Sequence, residues 1–342
     1  MMIKRLVILL VALVPLAAFG QTADRDVVLT DDGTLYTVES TLAKDVQGLQ
    51  TSSERVLTLT VQHGSDPSTT TVIPATVSGG WHVYPALAYD APSKTLFVFW
   101  EAAYNTFQNT GLEFCAYHDG QWNAAASLDS AQWAARLNLR IAVTRTAEQR
   151  NDDGTTTTVP ETTVHAVWWE DTGGAEWARY AMITVLNGAA PVIHVQDLGE
   201  FVNGGGSAPA ASSNASRELL RHPSVTETRT HDSVDVLFGD MNFVTIRRVT
   251  IHPTIQGRLR VPVGRTGSNI PAPSGNVMSS TPVDTLLNGD SVAMYYDGQK
   301  TNTIDYLLFA NGNWSEVRTL TLSDKFSHDS AVTALQKLIT AQ

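Results

Sequence analysis

The repeat that organises this chain is plainest in the segment Phe97-Val98-Phe99-Trp100-Glu101, a short apolar strand closed by an acidic residue. Four other segments have the same form: Leu35-Tyr36-Thr37-Val38-Glu39, Ala166-Val167-Trp168-Trp169-Glu170, Val236-Leu237-Phe238-Gly239-Asp240 and Ala293-Met294-Tyr295-Tyr296-Asp297. The acidic residues of successive segments are 62, 69, 70 and 57 residues apart. Self-similarity at a near-constant period is the signature of a repeat architecture, so we expect five copies of one structural unit.

Further landmarks surround these acidic residues. A proline precedes three of them by 15 to 17 positions, at Pro85, Pro223 and Pro282. Because proline donates no hydrogen bond to a neighbouring strand, each is predicted to open the inner strand of a sheet. After the acidic residue, a third strand is predicted to end in tyrosine in three copies, at Tyr117, Tyr180 and Tyr306.

Two copies then continue with Gly-x-Trp, ending at Trp122 and Trp314, where the preceding Asp-Gly and Asn-Gly pairs indicate hairpin turns. Each copy is therefore predicted to be a four-stranded antiparallel meander, and such sheets repeated radially make a β-propeller. The predicted fold class is all-β, a propeller of five four-stranded antiparallel blades with a short C-terminal helix. In the first blade, residues 26–30 and 55–62 are predicted as the inner and third strands. A sixth blade between residues 40 and 80 is the alternative.

The two ends of the chain predict its compartment and its domain limits. Lys4 and Arg5 precede an apolar stretch that ends in the cleavage-type sequence Ala18-Phe19-Gly20, which predicts a signal peptide over residues 1–20. An uncleaved anchor helix is the alternative. The propeller is predicted over residues 21–325, and residues 326–342 are predicted to hold a helix packed on it, because their apolar residues fall at helical spacing. We therefore expect a secreted or periplasmic protein with no membrane span after cleavage.

Charge and composition exclude several functional classes. The chain has 23 Lys+Arg against 34 Asp+Glu, a net charge of -11, which argues against a nucleic acid partner. Its one cysteine, Cys115, cannot form an intrachain disulfide and is predicted to be a buried thiol. The histidines lack metal-ligand spacing and no Gly-x-Ser-x-Gly motif is present, so no metal, cofactor or serine nucleophile is predicted.

The combined pattern of proline, apolar strand, Trp-acid pair, tyrosine and Gly-x-Trp over residues 24–322 resembles the sialidase-like, or BNR-repeat, β-propellers exported by bacteria. That resemblance implies a propeller fold, glycan handling and a site at the mouth of the central channel. The chain departs from the family at the Asp-box, for which residues 31–34 are the nearest sequence and lack the aromatic residue. Only residues 139–142 echo the family's Phe-Arg-Ile-Pro motif.

The repeat also predicts where a ligand would bind. If the copies align, all five acidic residues begin loops on one face, together with the residues before the inner strands, Tyr84, Arg140, His222 and Thr281. Ligand binding at this acidic funnel is assigned to Tyr84, Tyr104, Arg140, Asp171, His222 and Asp297. Trp81, Trp133 and Tyr104 are placed in loops, where they would stack on sugars. The acidic residues have a structural alternative, because a carboxylate at a strand end commonly accepts hydrogen bonds from loop amides.

Five similar acidic residues without a differentiated catalytic set favour a non-catalytic exported propeller that binds a glycan or a protein partner at the funnel. The alternative is a glycoside hydrolase, in which two carboxylates flank the bond that is cleaved. Its catalytic candidates are Glu101, Glu170 and Asp240, with Arg140 as a clamp for a substrate carboxylate. A purely structural scaffold in an envelope assembly is the third interpretation.

Overall fold

The computed structural model describes residues 25–46, 54–78, 80–103, 110–129, 134–172, 176–184, 191–203, 223–239, 245–267, 270–271, 283–288, 291–297, 302–322 and 334–339. The predicted signal peptide lies outside the described residues. Within those ranges, no helix is both long and apolar enough to cross a membrane.

The described strands form five successive antiparallel meanders. The first contains β1 (Arg25–Leu29), β2 (Thr34–Leu42), β3 (Arg55–His63) and β4 (Thr69–Val72). The second contains β5 (Trp81–Asp90), β6 (Thr95–Ala103) and β7 (Thr110–His118), with β8 (Gln121–Trp122) and β9 (Ala126–Asp129) both beside β7. Two short 3-10 helices, Ala43–Asp45 and Pro74–Ser78, lie in the connections.

The third meander contains β10 (Ala135–Arg150), β11 (Thr156–Asp171), β12 (Glu176–Thr184) and β13 (Val192–Asp197), followed by helix α1 (Glu200–Asn203). The fourth contains β14 (Ser224–Glu227), β15 (Val234–Gly239), β16 (Thr245–Gln256) and β17 (Leu259–Thr266), with β18 (Ile270–Pro271) also beside β16. The fifth contains β19 (Val283–Asn288), β20 (Ser291–Asp297) and β21 (Thr303–Ala310), with β22 (Asn313–Trp314) and β23 (Arg318–Thr321) beside β21. Helix α2 follows at residues 334–339.

The predicted fold class is confirmed: the chain is all-β, built of four-stranded antiparallel propeller blades, and carries one short C-terminal helix. The predicted inner and third strands of the first blade correspond to β1 and β3. Between residues 40 and 80, the described strands β3 and β4 complete the first blade and leave no separate sixth sheet there. The chain divides into two compact units: unit 1 is residues 1–104 with 114–125, and unit 2 is residues 105–113 with 126–342.

The second strand of a blade is buried on both faces. In unit 1, every residue of β6 from Leu96 to Ala103 is buried. Trp100 packs with Leu57 and Leu59 of the first blade, whereas Phe99 points the other way and stacks on Phe114 with 4.8 Å between ring centroids. Apolar side chains on both faces therefore make stacking of the sheets obligatory, because a single neighbour would cover only one face.

Unit 2 is packed in the same way. Val236 and Phe238 of β15 join the core of the third blade, and Leu237 between them joins Met294 of the fifth. The free face of the fifth blade is covered by helix α2, whose Leu335 and Ile339 lie in one cluster with residues of β20 and β21. Their i, i+4 spacing puts both on one side of the helix, as the apolar periodicity predicts.

The turn signals are confirmed, whereas two of the other repeat landmarks are misplaced. Asp119-Gly120 and Asn311-Gly312 form two-residue hairpin turns with positive φ at all four residues. Tyr180 and Tyr306 were predicted to end the third strand but lie in its interior, because β12 and β21 continue beyond them. Cys115 is buried, as predicted.

The predicted role of proline holds for Pro223 and fails for Pro85. Pro223 directly precedes β14, whereas Pro282 lies outside the described residues. Pro85 does not open its strand, because β5 begins four residues earlier at Trp81 and Pro85 lies where the register with β6 shifts. A β-bulge is a place in a sheet that accepts a residue without an amide hydrogen, which explains why proline is tolerated there.

A fully buried histidine links two strands of the third blade. His165 Nδ1 shares a hydrogen bond with the Tyr180 hydroxyl at 2.7 Å, and its Nε2 shares one with the Thr144 hydroxyl at 2.9 Å. Burial lowers the pKa of His165 to about 3. The imidazole is therefore neutral at neutral pH, with both ring nitrogens satisfied.

Because the pKa of His165 is lower in the folded than in the unfolded chain, its contribution to stability is present above about pH 6.5 and lost as the pH falls. At pH 5 we expect this group to reduce the free energy of unfolding by about 2 kcal/mol relative to pH 7.5. Urea unfolding of the wild-type protein and of His165→Gln, each at both pH values, measures this loss in the free energy of unfolding. An equal pH dependence in the two proteins would refute the assignment.

Candidate functional site

Two large aromatic side chains are exposed at one end of the strands of unit 1. This end, called the entry edge, is where β1, β3 and β5 begin and where β2 and β6 end. Trp81 is 40% exposed and Tyr84 is 49% exposed, although both belong to β5. Sequence reasoning placed Trp81 in a loop and Tyr84 ahead of the inner strand, but the strand begins at Trp81 and includes both residues.

Tyr84 has a strained backbone conformation. Val83 pairs with Glu101 and Ala86 pairs with Phe99, so β5 has one residue more than β6 between these pairs, which defines a bulge. Tyr84 has φ of +50°, a left-handed conformation that costs a bulky residue about 1–2 kcal/mol. Strain of this kind is concentrated at functional sites.

The third blade repeats the bulge with a different residue. In β10, Leu137 pairs with Trp169 and Arg140 pairs with Val167, and Asn138 has φ of +60°. Asn138 is therefore the structural counterpart of Tyr84. The predicted counterpart, Arg140, lies two residues further on within β10, so its assignment as the residue before the inner strand is wrong.

Glu101 lies on β6, the strand paired with the one that carries the two aromatic residues of the entry edge. The ladder between β5 and β6 sets Glu101 opposite Val83, between Trp81 and Tyr84 in sequence, and its side chain is 1% exposed. The prediction that Glu101 and Glu39 begin loops is wrong: β6 continues to Ala103 and β2 continues to Leu42. An acidic residue inside the strand is held by the ladder rather than by a loop.

A polar network fixes the start of β5. Arg55 donates from Nε to the Ser40 hydroxyl at 2.8 Å and from Nη2 to the Ser40 carbonyl at 2.7 Å. The same hydroxyl donates to the carbonyl of His82 at 2.7 Å. Arg55 and Trp81 also form the parallel contact between β3 and β5. These bonds hold the backbone on which Trp81 stands, and no motif in the sequence pointed to Arg55, Ser40 or His82.

In unit 2, Glu170 is held between two arginines. Arg136 Nε lies 3.0 Å from Glu170 Oε2, and Arg179 Nη2 lies 3.1 Å from Oε1. Arg136 is fully buried and Glu170 is 3% exposed, whereas Arg179 is partly exposed and lies over the Trp177 ring at 5.1 Å. A carboxylate with both oxygens engaged in a buried pair favours the structural interpretation of this acidic residue. Sequence reasoning did not identify either arginine.

The structure describes some of the remaining candidate residues and not others. Arg140 donates from Nη1 to the carbonyl of its neighbour Leu139 at 2.9 Å, and Asp171 ends β11 next to Glu170. Tyr104, Trp133, His222, Asp240 and Thr281 lie outside the described residues. Asp297 ends β20, but its side chain is not among those described. In unit 1, Tyr84 and Glu101 lie on paired strands. In unit 2, Glu170 and Asp171 are consecutive residues of β11.

The described residues contain no group of three or more His, Cys, Asp or Glu side chains arranged to hold a metal ion. What the entry edge offers is an amphipathic surface: aromatic rings for apolar contact, with polar groups beside them. Sites that combine exposed aromatic surface with a few fixed polar groups suit small polar ligands with apolar faces, such as sugars.

Comparison with known proteins gives likeness in structure alone. No family model and no curated protein matches the chain. Among solved structures, a thermostable family-43 glycoside hydrolase is 10% identical, with 89% of this chain and 95% of that chain covered and a TM-score of 0.39. A GH43 endo-arabinanase from Bacillus licheniformis is 11% identical, with coverage of 90% and 95% and a TM-score of 0.35.

Two further matches belong to other groups. A sialidase from Trypanosoma rangeli, in complex with sialic acid, is 9% identical, with 74% of this chain and 39% of that chain covered and a TM-score of 0.32. A mutant of AofleA from Arthrobotrys oligospora is 12% identical, with coverage of 90% and 92% and a TM-score of 0.32. These likenesses are remote, and the chemistry of the site has to be argued from the residues themselves.

Glu170→Gln should reduce the free energy of unfolding by about 3 kcal/mol, because it removes the carboxylate charge from a buried ion pair with Arg136. Arg265→Met is the matched control: Arg265 also pairs with a glutamate, Glu148, at 2.7 Å, but its side chain is 59% exposed, so the loss should stay below about 1 kcal/mol. Chemical denaturation of the three proteins measures both values. An unchanged midpoint for Glu170→Gln would show that the pair is not structural.

Proposed function

We propose that the protein binds a carbohydrate at the entry edge of unit 1, with Trp81 and Tyr84 as its stacking surfaces. The observation that carries the proposal is the exposure of these two rings, 40% and 49%, in a strand whose other aromatic residue, Tyr89, is only partly exposed. Pyranose and furanose rings have apolar faces that pack on aromatic side chains, and water is released from both surfaces.

The strained backbone at Tyr84 supports the same conclusion. Asn138 occupies the equivalent bulge with a side chain that accepts a positive φ more readily than tyrosine does. A tyrosine at that point is a less stable choice for the fold, and it positions a ring toward solvent on a rigid strand instead of a loop. Rigid presentation reduces the entropy lost on binding.

A binding role also fits the state of the acidic residues. Glu170, one of the three carboxylates proposed for hydrolysis, has both oxygens engaged by Arg136 and Arg179. A group so held is a poor proton donor and a poor nucleophile, since either role would require breaking a buried ion pair. Its catalytic assignment, and that of Asp240, stay predictions.

Glycoside hydrolysis is the second candidate, and Glu101 is the observation in its favour. It is a carboxyl group on the strand next to Trp81 and Tyr84, shielded from bulk water. A shielded carboxyl group beside a sugar-binding surface has the placement that a general acid requires. We further propose export to a periplasm or the extracellular medium, where a glycan or an envelope protein would be the partner.

Trp81→Ala and Tyr84→Asn should each weaken glycan binding by at least about tenfold, since each removes an aromatic surface worth more than about 1.4 kcal/mol. Asparagine is chosen because Asn138 shows that this bulge accepts it. Leu259→Ala, which removes an exposed apolar side chain of unit 2, is the control and should bind normally. A glycan array followed by calorimetry on the best ligand measures the effect, and no ligand on the array would reject the proposal.

For the hydrolase candidate, we expect turnover of a chromogenic glycoside to fall by a factor of about 100 or more in Glu101→Gln, because the side chain can no longer transfer a proton. Glu39→Gln is the control: it changes the corresponding acidic residue of the first blade. Turnover of arabinosides, xylosides and galactosides by the full chain is the measurement. A folded wild-type protein with no turnover, or a Glu101→Gln variant that retains it, would reject hydrolysis through Glu101 and leave the binding proposal intact.

A further inference from the structure

The opposite end of the unit 1 strands carries a second aromatic group. Tyr36 of β2, Tyr89 of β5, Tyr117 of β7 and Trp122 of β8 are all partly buried against one core cluster. Each lies near the turn that ends or begins its strand, and Asp32 lies in the turn between β1 and β2. We call these five residues the turn edge. Tyr89 is eight residues beyond Trp81 in β5, about 26 Å along the strand, so the turn edge is separate from the entry edge.

Several polar atoms of this group have no hydrogen-bond partner among the described residues. The hydroxyls of Tyr36, Tyr89 and Tyr117 and the indole nitrogen of Trp122 make no hydrogen bond to any described residue, and none of them is among the buried unsatisfied atoms. They therefore reach solvent from partly buried rings. Asp32 accepts hydrogen bonds at Oδ1 from the Thr30 hydroxyl and the Thr34 amide.

The fifth blade contains the same aromatic hairpin pair, but there the indole N–H is hydrogen-bonded within the protein. There, Phe309 and Trp314 pair across β21 and β22 as Tyr117 and Trp122 pair across β7 and β8. Trp314 donates its indole N–H to the carbonyl of Pro271 at 2.6 Å, and Phe309 has no hydroxyl. The motif can therefore be built without spare polar groups. Its copy in unit 1 keeps both a phenol hydroxyl and an indole N–H open.

The arrangement suits a neutral saccharide rather than a cation. Tyr36 stacks on Tyr89 with 5.6 Å between centroids, and Tyr117 lies tilted against Trp122 at 4.9 Å, so each ring has one face turned toward its aromatic partner. A cation would need an open ring face. The groups that reach water are hydroxyls, one N–H and one carboxylate, which match the donors and acceptors of sugar hydroxyls.

The charge of Asp32 disfavours an anionic sugar next to it at the turn edge. Hydrogen bonds from Thr30 and Thr34 lower the pKa of Asp32 to about 2, so this carboxylate is charged under ordinary conditions. Burial, and then the nearby Tyr89, Asp32 and Tyr117, raise the pKa of Tyr36, which keeps its phenol protonated and able to donate. Burial and Asp32 act on the pKa of Tyr89 in the same direction.

We propose that the turn edge is a second carbohydrate-binding site, in which Tyr36, Tyr89 and Trp122 hydrogen-bond a neutral saccharide. It does not depend on the entry edge being a binding site. With both sites occupied, unit 1 would hold one saccharide at each end of its strands.

The test is ¹⁹F NMR of the full chain labelled with 5-fluorotryptophan. Trp122→Phe and Trp81→Phe assign the two signals that report the turn edge and the entry edge. Methyl glycosides of glucose, galactose, xylose and arabinose are titrated, with choline chloride as the cationic probe. We expect at least one glycoside to shift the Trp122 signal saturably, and Tyr36→Phe and Tyr89→Phe each to weaken that binding about fivefold through loss of one hydrogen bond.

Tyr306→Phe, which removes a phenol hydroxyl from the core of unit 2, is the matched control and should leave the titration unchanged. A Trp122 signal that no glycoside shifts, one that choline alone shifts, or binding unaffected by both tyrosine variants would overturn the proposal. Because Trp81 reports separately, a failure at the turn edge is distinguishable from a failure at the entry edge.

Discussion

Burial of both faces of the second strand is the constraint on which this structure depends. In β6 and β15, neighbouring residues point to opposite sides and both sides are apolar, so each sheet needs a neighbour on either side. A lone meander of this sequence would expose both apolar faces to water, which explains why the unit is repeated. The fifth blade shows the same requirement, since helix α2 covers the face that no described sheet covers.

Once the faces are buried, polar chemistry is confined to the ends of the strands. An ionised group that is buried needs a counter-charge even near a strand end, as Glu170 has in Arg136 and Arg179. The same rule explains His165, which remains neutral and satisfies both nitrogens with hydroxyls. At the strand ends, by contrast, hydroxyls and aromatic edges reach water without such compensation, and the entry edge and the turn edge are both found there.

The sequence predicted the blades because strand apolarity and Asp-Gly or Asn-Gly turns are local properties. It misplaced residues wherever register mattered: the bulge in β5 puts Pro85 inside a strand, and the bulge in β10 matches Tyr84 with Asn138 instead of Arg140. A bulge adds one residue and reverses the face of every residue after it, and no composition signal marks it. Likewise, Arg136 became a partner of Glu170 only through cross-strand pairing, which one strand's sequence does not contain.

These errors have a common lesson for a protein built of repeats. The acidic residue that recurs in every copy was the strongest sequence signal, yet what is common to all copies is what the shared architecture requires. Function is better sought where copies of one structural element differ. Tyr84 and Asn138 occupy one kind of bulge, and Tyr117-Trp122 and Phe309-Trp314 occupy one kind of hairpin, so the backbone explains neither difference. In both comparisons the copy in unit 1 carries the more exposed or less satisfied side chains, a less stable arrangement that the fold alone does not need.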